Sequence, residues 1–294
     1  MILIESFIKY LEFEKRSSEH TIASYSCDLE QFILFAKQKD VTHVSDVNRK
    51  LVRSWVVYLV GEGMAPKSVG RKITSLKSYF NYLMREGFVE INPAKDISTP
   101  KIPKKIPIFV RESEMDLLLD EFPFTSDYEG VRDRLILELL YGVGLRRSEL
   151  VGLRDNDFDF SLKEIKVTGK YKKQRYIPLN ANLLLLIKKY LVVRNQEFEI
   201  GDNGFFFLTK KGDAVYAKLI YRVVNKYLSS VTTLQKKSPH VLRHSFATSL
   251  LNAGADLNAI KELLGHSNLT ATEVYTHSSF EKITDIYKQA HPRS

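Results

Sequence analysis

The chain has 294 residues, 44% hydrophobic and 27% charged, with 44 lysines and arginines against 35 acidic residues, a formal charge of +9. That length and composition supply apolar material for two folded domains and exclude a disordered, collagen-like or low-complexity chain; no apolar run approaches the roughly 20 residues that cross a bilayer, and no basic start with a long apolar centre marks an export signal. Cys27, the single cysteine, can form neither an internal disulfide nor a thiolate metal site, so it reads as a packing residue in a cytoplasmic protein.

The first part of the chain reads as helices with polar breaks. Phe7, Leu11, Ile22, Tyr25, Leu29, Phe32 and Phe35 recur at helical spacing, and Thr42 to Asp46 reads as the start of a helix through Val60, ended by Gly61 and Gly63. Val69, Ile73, Leu76, Phe80 and Leu83 then step by four and three residues into one apolar stripe that Gly87 closes. The opposite face groups Lys67, Arg71, Thr74 and Ser78 without a carboxylate, as a row of phosphate donors would be. Over residues 48–77 seven basic residues (Arg49, Lys50, Arg53, Lys67, Arg71, Lys72 and Lys77) stand against one acid, Glu62. A solvated helix face accounts for one such run. A second run, residues 166–175, holds five bases, among them Lys170, Lys172, Lys173 and Arg175, and no acid, which makes nucleic acid the expected partner. Pro93, Pro100, Pro103 and Pro107 interrupt the lysine-bearing stretch 92–107 and predict an extended connection there. The expected division is a helical domain over 1–99, a linker over 100–110 and a second domain over 111–294.

Beyond the linker, Val131, Leu135, Leu139 and Val143 mark a helix that Gly142 and Gly144 stop, and a short helix follows over 147–153. Alternation at Phe158, Phe160, Ile165 and Val167, a turn at Lys170 to Lys173 and extended chain from Tyr176 to Leu179 predict a small hairpin sheet, with Phe205 to Leu208 as one further strand. Helices are expected over 181–196, 215–228, 239–252 and 257–264. The fold class is mainly α with a small antiparallel β-sheet.

Ser238-Pro239 is a helix opening, serine as N-cap and proline at the first helical position, and it sets His240 and Arg243 side by side on the first turn. An imidazole and a planar guanidinium beside unpaired N–H groups form an anion site; a surface pair at a cap is the alternative for this spacing alone. Leu242, Phe246 and Leu250 face the other way, into the core. Gly254, Asp256 and Gly265 then set two turns, and Thr270 with Glu273 forms a capping box, folding His240, Arg243, His266 and Tyr275 into one helical unit. Gly142-Val143-Gly144 lacks the third glycine of a dinucleotide fingerprint. Arg146 stands at a helix-to-helix turn, where it either pairs with Glu149 or meets a ligand, and Lys170 at a hairpin tip that can reach one. No carboxylate cluster accompanies the histidines, which argues against a metal-dependent nuclease.

Five segments, in order, resemble the tyrosine recombinase and integrase family, and its Xer-type members above all: Gly144-Leu145-Arg146-Arg147-Ser148-Glu149-Leu150, Thr168-Gly169-Lys170, His240-Val241-Leu242-Arg243-His244-Ser245-Phe246-Ala247-Thr248, Leu263-Leu264-Gly265-His266 and Glu273-Val274-Tyr275-Thr276-His277. The resemblance covers nearly the whole chain. It implies a helical core-binding domain ahead of a mixed α/β catalytic domain, and an enzyme that cuts and rejoins duplex DNA at specific sites through a 3′-phosphotyrosyl link and a Holliday junction. By the same resemblance Tyr275 is the nucleophile, Arg146 and Arg243 hold the non-bridging phosphate oxygens, His240 is the acid/base for the phenol, Lys170 protonates the leaving 5′-oxygen and His266 adds a phosphate hydrogen bond. No cofactor and no metal are implied. The implied assembly is four protomers, of one or two kinds, with exchanged C-terminal tails on two DNA sites, with a second recombinase or a DNA translocase as further partners. Chromosome-dimer resolution is the implied role; a mobile-element integrase, or a non-cutting DNA-binding regulator on the same scaffold, is the alternative. Tyr171 stands where the family usually has glycine, which makes Lys172 a rival to Lys170, and Ser249 and Asn258 replace a frequent histidine and arginine.

Overall fold

The structure, a computed structural model, describes residues 4–101, 108–169, 173–198 and 204–265, and the chain divides into two compact units, Met1–Lys105 and Ile106–Ser294. The first unit is helical among the described residues: α1 (Ile4–Lys9), which runs on as a wider turn over Tyr10–Glu14, α2 (Glu19–Lys37), α3 (Arg49–Gly61) and α4 (Pro66–Arg85). Polar caps set two of the starts. The Ser18 hydroxyl accepts from the Thr21 N–H, and Asn48 Oδ1 accepts from the Leu51 N–H at 3.0 Å. The spaced apolar residues converge as their period demands: Phe7, Leu29, Phe32, Trp55, Ile73, Leu76 and Phe80 form one buried cluster, with Phe32 edge-on to Trp55. Each such side chain contributes about 1.5–3 kcal/mol by leaving water.

Three expectations for this unit change. The helix expected from Thr42 starts at Arg49, because Asn48 has the extended backbone and side-chain reach of a cap; Val44–Asp46 makes only a single tight turn. Residues 92–97 are not part of an extended connection. They turn back onto the core, burying Ala94 and Ile97, while Asn92 Nδ2 donates to the Lys77 carbonyl at 3.0 Å and to Asn81 Oδ1 at 2.7 Å. Cys27 is exposed on α2 rather than packed.

The second unit holds α5 (Glu112–Asp116), α6 (Tyr128–Gly142), α7 (Arg147–Val151), a sheet of β1 (Phe158–Asp159), β2 (Glu164–Thr168) and β3 (Gln174–Pro178), then α8 (Ala181–Glu197), α9 (Ala217–Val231), α10 (Pro239–Asn252) and α11 (Leu257–Leu264). The strands are antiparallel in the order β1-β2-β3, with Ile165 opposite Ile177 and Val167 opposite Arg175. Helix α6 is buried on all sides, as its run Leu135, Ile136, Leu137, Leu139 and Leu140 requires, and forms the centre of the core. Phe205 to Leu208 makes isolated bridges, Arg154 with Phe205 and Leu208 with Ala214, not the expected strand. Side chains claim its carbonyls instead: Tyr190 Oη and Arg194 Nη1 donate to Phe206, and Tyr128 Oη donates to Leu208. Among the described residues no helix is long and apolar enough to cross a membrane.

Candidate active site

Three arginines and one carboxylate meet in the second unit. Arg146 leaves the turn between α6 and α7, a turn made possible by Gly144 at φ 66°. A side chain at Gly144 would have its Cβ 2.5 Å from Phe246 and 2.9 Å from Leu264. Glu149 lies in the first turn of α7, where its Oε2 accepts the otherwise unpaired Arg146 N–H at 2.8 Å. Its Oε1 accepts from Arg146 Nη1 at 2.6 Å. Arg175 reaches over from β3 with a planar fork, Nη1 to Oε1 at 2.8 Å and Nη2 to Oε2 at 2.9 Å. Arg243, from the first turn of α10, places Nη1 3.9 Å from Glu149 Oε2.

The same three arginines close the C-terminus of α11. Gly265, in the left-handed conformation at φ 63°, returns its N–H to Glu262 and Lys261, which leaves the last three carbonyls without helical donors. Arg175 Nε donates to Leu263 O at 2.9 Å, Arg243 Nη2 to Leu264 O, and Arg146 Nη2 to Gly265 O at 2.6 Å. Arg243 also donates to Gly144 O, tying the two turns together. The cations thus lie at the negative end of the α11 dipole.

Burial divides the group. The side chain of Glu149 is 2% exposed and those of Arg175 and Arg243 are 5% and 8%, whereas Arg146 is 25% exposed and opens to solvent. Burial alone would raise the Glu149 pKa, but the hydrogen bonds and charge of Arg175, then the contacts of Arg146, outweigh it and bring it from 4.5 down to about 2. Arg243 moves down from the usual guanidinium range to about 9, through burial first and then the charge of Arg146, and stays a cation at neutral pH. His240, one turn before Arg243, has its pKa lowered from 6.5 by partial desolvation of its ring and then by the charges of Arg147, Lys236, Arg243 and Arg146, so neutral imidazole predominates at neutral pH. Three guanidiniums against one carboxylate leave an excess of positive charge at a half-open pocket: a site short of an anion. The groove between α1 and α2 is the opposite, lined by Glu5, Glu12 and Glu30 with Lys9, and offers a polyanion nothing.

Residues 109–282 match the model of the phage integrase family and residues 4–87 that of the phage integrase N-terminal SAM-like domain. The chain is 38% identical to tyrosine recombinase XerC of Chlorobaculum parvum over 315 aligned residues, covering 98% of this chain and 94% of that one. The chain belongs to the phage integrase family of site-specific tyrosine recombinases. It is likewise similar to tyrosine recombinase XerD of Staphylococcus haemolyticus, 35% identical over 99% of both chains. In fold it is similar to the XerH site-specific recombinase bound to palindromic difH substrate in a post-cleavage complex, with a TM-score of 0.73 and 23% identity over 96% of this chain and 82% of that chain.

Of the six residues that the recombinase sequence singles out for chemistry, the structure brings Arg146 and Arg243 together at the end of α11, with His240 one turn from Arg243 on α10, while Lys170, His266 and Tyr275 lie outside the described residues. Ser238 takes the N-cap place of α10, yet its buried hydroxyl makes no cap bond and has no partner among the described residues. Among the basic residues expected on DNA, Arg49, Lys50, Arg53, Lys67 and Lys173 are exposed and Lys77 is half-buried; Lys172 lies outside the described residues. Arg71 is exposed but donates to Asp28 and to the Ser24 carbonyl. Two assignments need correction. Lys72 is buried, with Nζ 2.9 Å from Asp28 Oδ1 and a second bond to Gln31, and Arg175 is buried on Glu149; neither cation is presented to a ligand in solvent. Glu149, which the sequence offers only as an alternative partner for Arg146, is the group that organises the site. Its signal was a glutamate three residues after an arginine at a helix start.

Proposed function

We propose that this recombinase cuts DNA by attack of the Tyr275 hydroxyl on a backbone phosphate held by Arg146 and Arg243. The new phosphotyrosyl bond replaces the P–O5′ bond, so its energy is conserved for rejoining and no ATP is consumed. His240 takes the phenolic proton, Lys170 supplies a proton to the leaving 5′-oxygen, and His266 donates a further hydrogen bond to the phosphate. The single observation that carries this reading is the convergence of Arg146 and Arg243 on adjacent carbonyls of α11, beside a histidine that is held neutral. Phenol ordinarily ionises near pH 10, so a nearby base and a cationic pocket are what attack at neutral pH requires.

The exposed cations Arg49, Lys50, Arg53 and Lys67, with Lys77, Lys172 and Lys173, serve as contacts to the DNA backbone. The boundaries 1–99, 100–110 and 111–294 divide a core-binding domain, a linker and a catalytic domain. Four protomers act on two sites through a Holliday junction with exchanged C-terminal tails, in the cytoplasm, and the role is resolution of chromosome dimers, in keeping with the XerC and XerD relatives. The test is a nicked duplex carrying the site that the protein selects from a random library. The expected result is a covalent protein–DNA adduct that survives denaturation, resists chelator and is lost in Tyr275→Phe while binding persists. An adduct that persists in Tyr275→Phe, or none on any selected site, overturns the reading.

A further inference from the structure

We infer that Arg175 is a positioning residue of the recombination site, whose one buried guanidinium fixes both Glu149 and the end of α11 and thereby aims Arg146 and Arg243 at the phosphate. The inference rests on the reading of those two arginines as the phosphate ligands. Arg175 is the only one of the three that holds both oxygens of Glu149 with its two Nη groups, and its remaining donor, Nε, takes Leu263 O at 2.9 Å. All three of its guanidinium nitrogens face Glu149 and Leu263, inside the protein. What it controls is on either side. Glu149 holds the Arg146 side chain and backbone, and the carbonyls after Leu263, those of Leu264 and Gly265, hold Arg243 and Arg146. Gly265 packs on the same guanidinium, since a Cβ there would stand 3.3 Å from Arg175 Cδ and Nη1.

Removing the fork therefore acts twice. A buried carboxylate loses its principal partner and draws Arg243 in from 3.9 Å, so that Glu149 competes with phosphate for the same guanidinium. Meanwhile Leu263 O becomes a buried acceptor without a donor, which loosens the α11 end that orients both remaining arginines. Lysine restores one charge but cannot span two carboxylate oxygens and a carbonyl at once. The next residue in the chain after Gly265 is His266, so the same anchor lies one peptide from a proposed phosphate donor.

The experiment compares full-length wild type, Arg175→Gln and Arg175→Lys in single-turnover adduct formation on the nicked selected duplex, with DNA affinity, melting temperature and the pH dependence of the rate measured alongside. Arg175→Gln is expected to bind DNA within about twofold of wild type and to form adduct about 100-fold more slowly, with Arg175→Lys recovering no more than about tenfold of that loss. Below the limb set by His240, the Arg175→Gln rate profile is expected to show a second acid step that wild type lacks over the same range, because Glu149 then loses its strongest depressing partner. A purely structural arginine would lower the melting temperature and leave that profile unmoved. Adduct formation at the wild-type rate, a loss that tracks DNA affinity, or an unmoved profile with full recovery in Arg175→Lys overturns the inference. If Arg175→Gln does not fold, Arg175→Lys decides: a wild-type rate overturns the inference and a loss of about tenfold or more sustains it. Arg146→Gln and Arg243→Gln are run in parallel. Should they too cleave like wild type, the phosphate reading has failed; should they be inactive while Arg175→Gln is not, only the present inference has.

Discussion

Replacing Glu149 by glutamine keeps the shape of the side chain and removes the one negative charge among three guanidiniums. With the pKa at about 2 in the folded protein against 4.5 ordinarily, and about 1.4 kcal/mol per unit, the interactions of the charged form are worth about 3 kcal/mol. The side chain is 2% exposed, so solvent screening does not erode that figure as it would at the surface. It also matches the loss of about 3–5 kcal/mol seen when one member of a buried ion pair is removed. Because the folded-state pKa is depressed, the contribution is fully present above pH 4.5 and fades as pH falls toward about 2. For a unit of this size, at roughly 2–4 °C per kcal/mol, Glu149→Gln should melt roughly 6–12 °C below wild type near neutral pH, with the gap narrowing in acid. Differential scanning calorimetry of both full-length proteins, near pH 7 and at about pH 3.5, tests it. A variant that melts with wild type at neutral pH, or a gap that is the same at both pH values, refutes the electrostatic account of the site.

Three further outcomes are expected. The acid limb of adduct formation should lie below the ordinary histidine value of 6.5, since His240 is held down by burial and its cationic neighbours, and His240→Gln should remove that limb from a stopped-time rate profile. Gly144→Ala should cost about 2–4 kcal/mol in urea unfolding, the sum of a left-handed backbone and a clash with Phe246 and Leu264. A triple replacement of Arg49, Lys50 and Arg53 by alanine should reduce the slope of log affinity against log salt by about 3, whereas Lys72→Met, which removes a buried cation, should leave the slope unchanged in filter binding.

Helices α10 and α11 match their expected bounds residue for residue because their ends carry specific chemistry: proline at the first helical position of α10, the Asp256 cap and the left-handed Gly265. Where two chemistries compete, the sequence is less decisive. Thr42 and Asn48 both suit a helix start, and the helix takes Asn48, whose side chain caps the Leu51 N–H. Phe205 to Leu208 has no period, so nothing marks it as a segment whose carbonyls bond to side chains rather than to a neighbouring strand. The two misassigned cations, however, were readable. Lys72 follows Val69 by three residues and precedes Leu76 by four, which puts it within the apolar stripe of α4; Arg175 shares the phase of the buried Ile177 on β3. A charge run counts residues, whereas helical and strand periods say which way each one points.

That distinction bears on how the pocket would act on its substrate. In the described structure three guanidiniums surround one carboxylate, and the only further compensation is the weak negative end of α11. On the proposed reading a bound phosphodiester brings a second negative charge, and in the transition state negative charge gathers on its equatorial oxygens while the phenolic proton moves to His240, so the arginines face more negative charge at the top of the barrier than in the bound substrate. Had the arginines been free of Glu149, the excess would favour tight ground-state binding of any phosphate along the backbone; had they two carboxylates, it would vanish. On that reading one buried glutamate lowers the positive excess without abolishing it, and an excess that meets more negative charge in the transition state than in the bound substrate is the condition for acceleration rather than mere affinity.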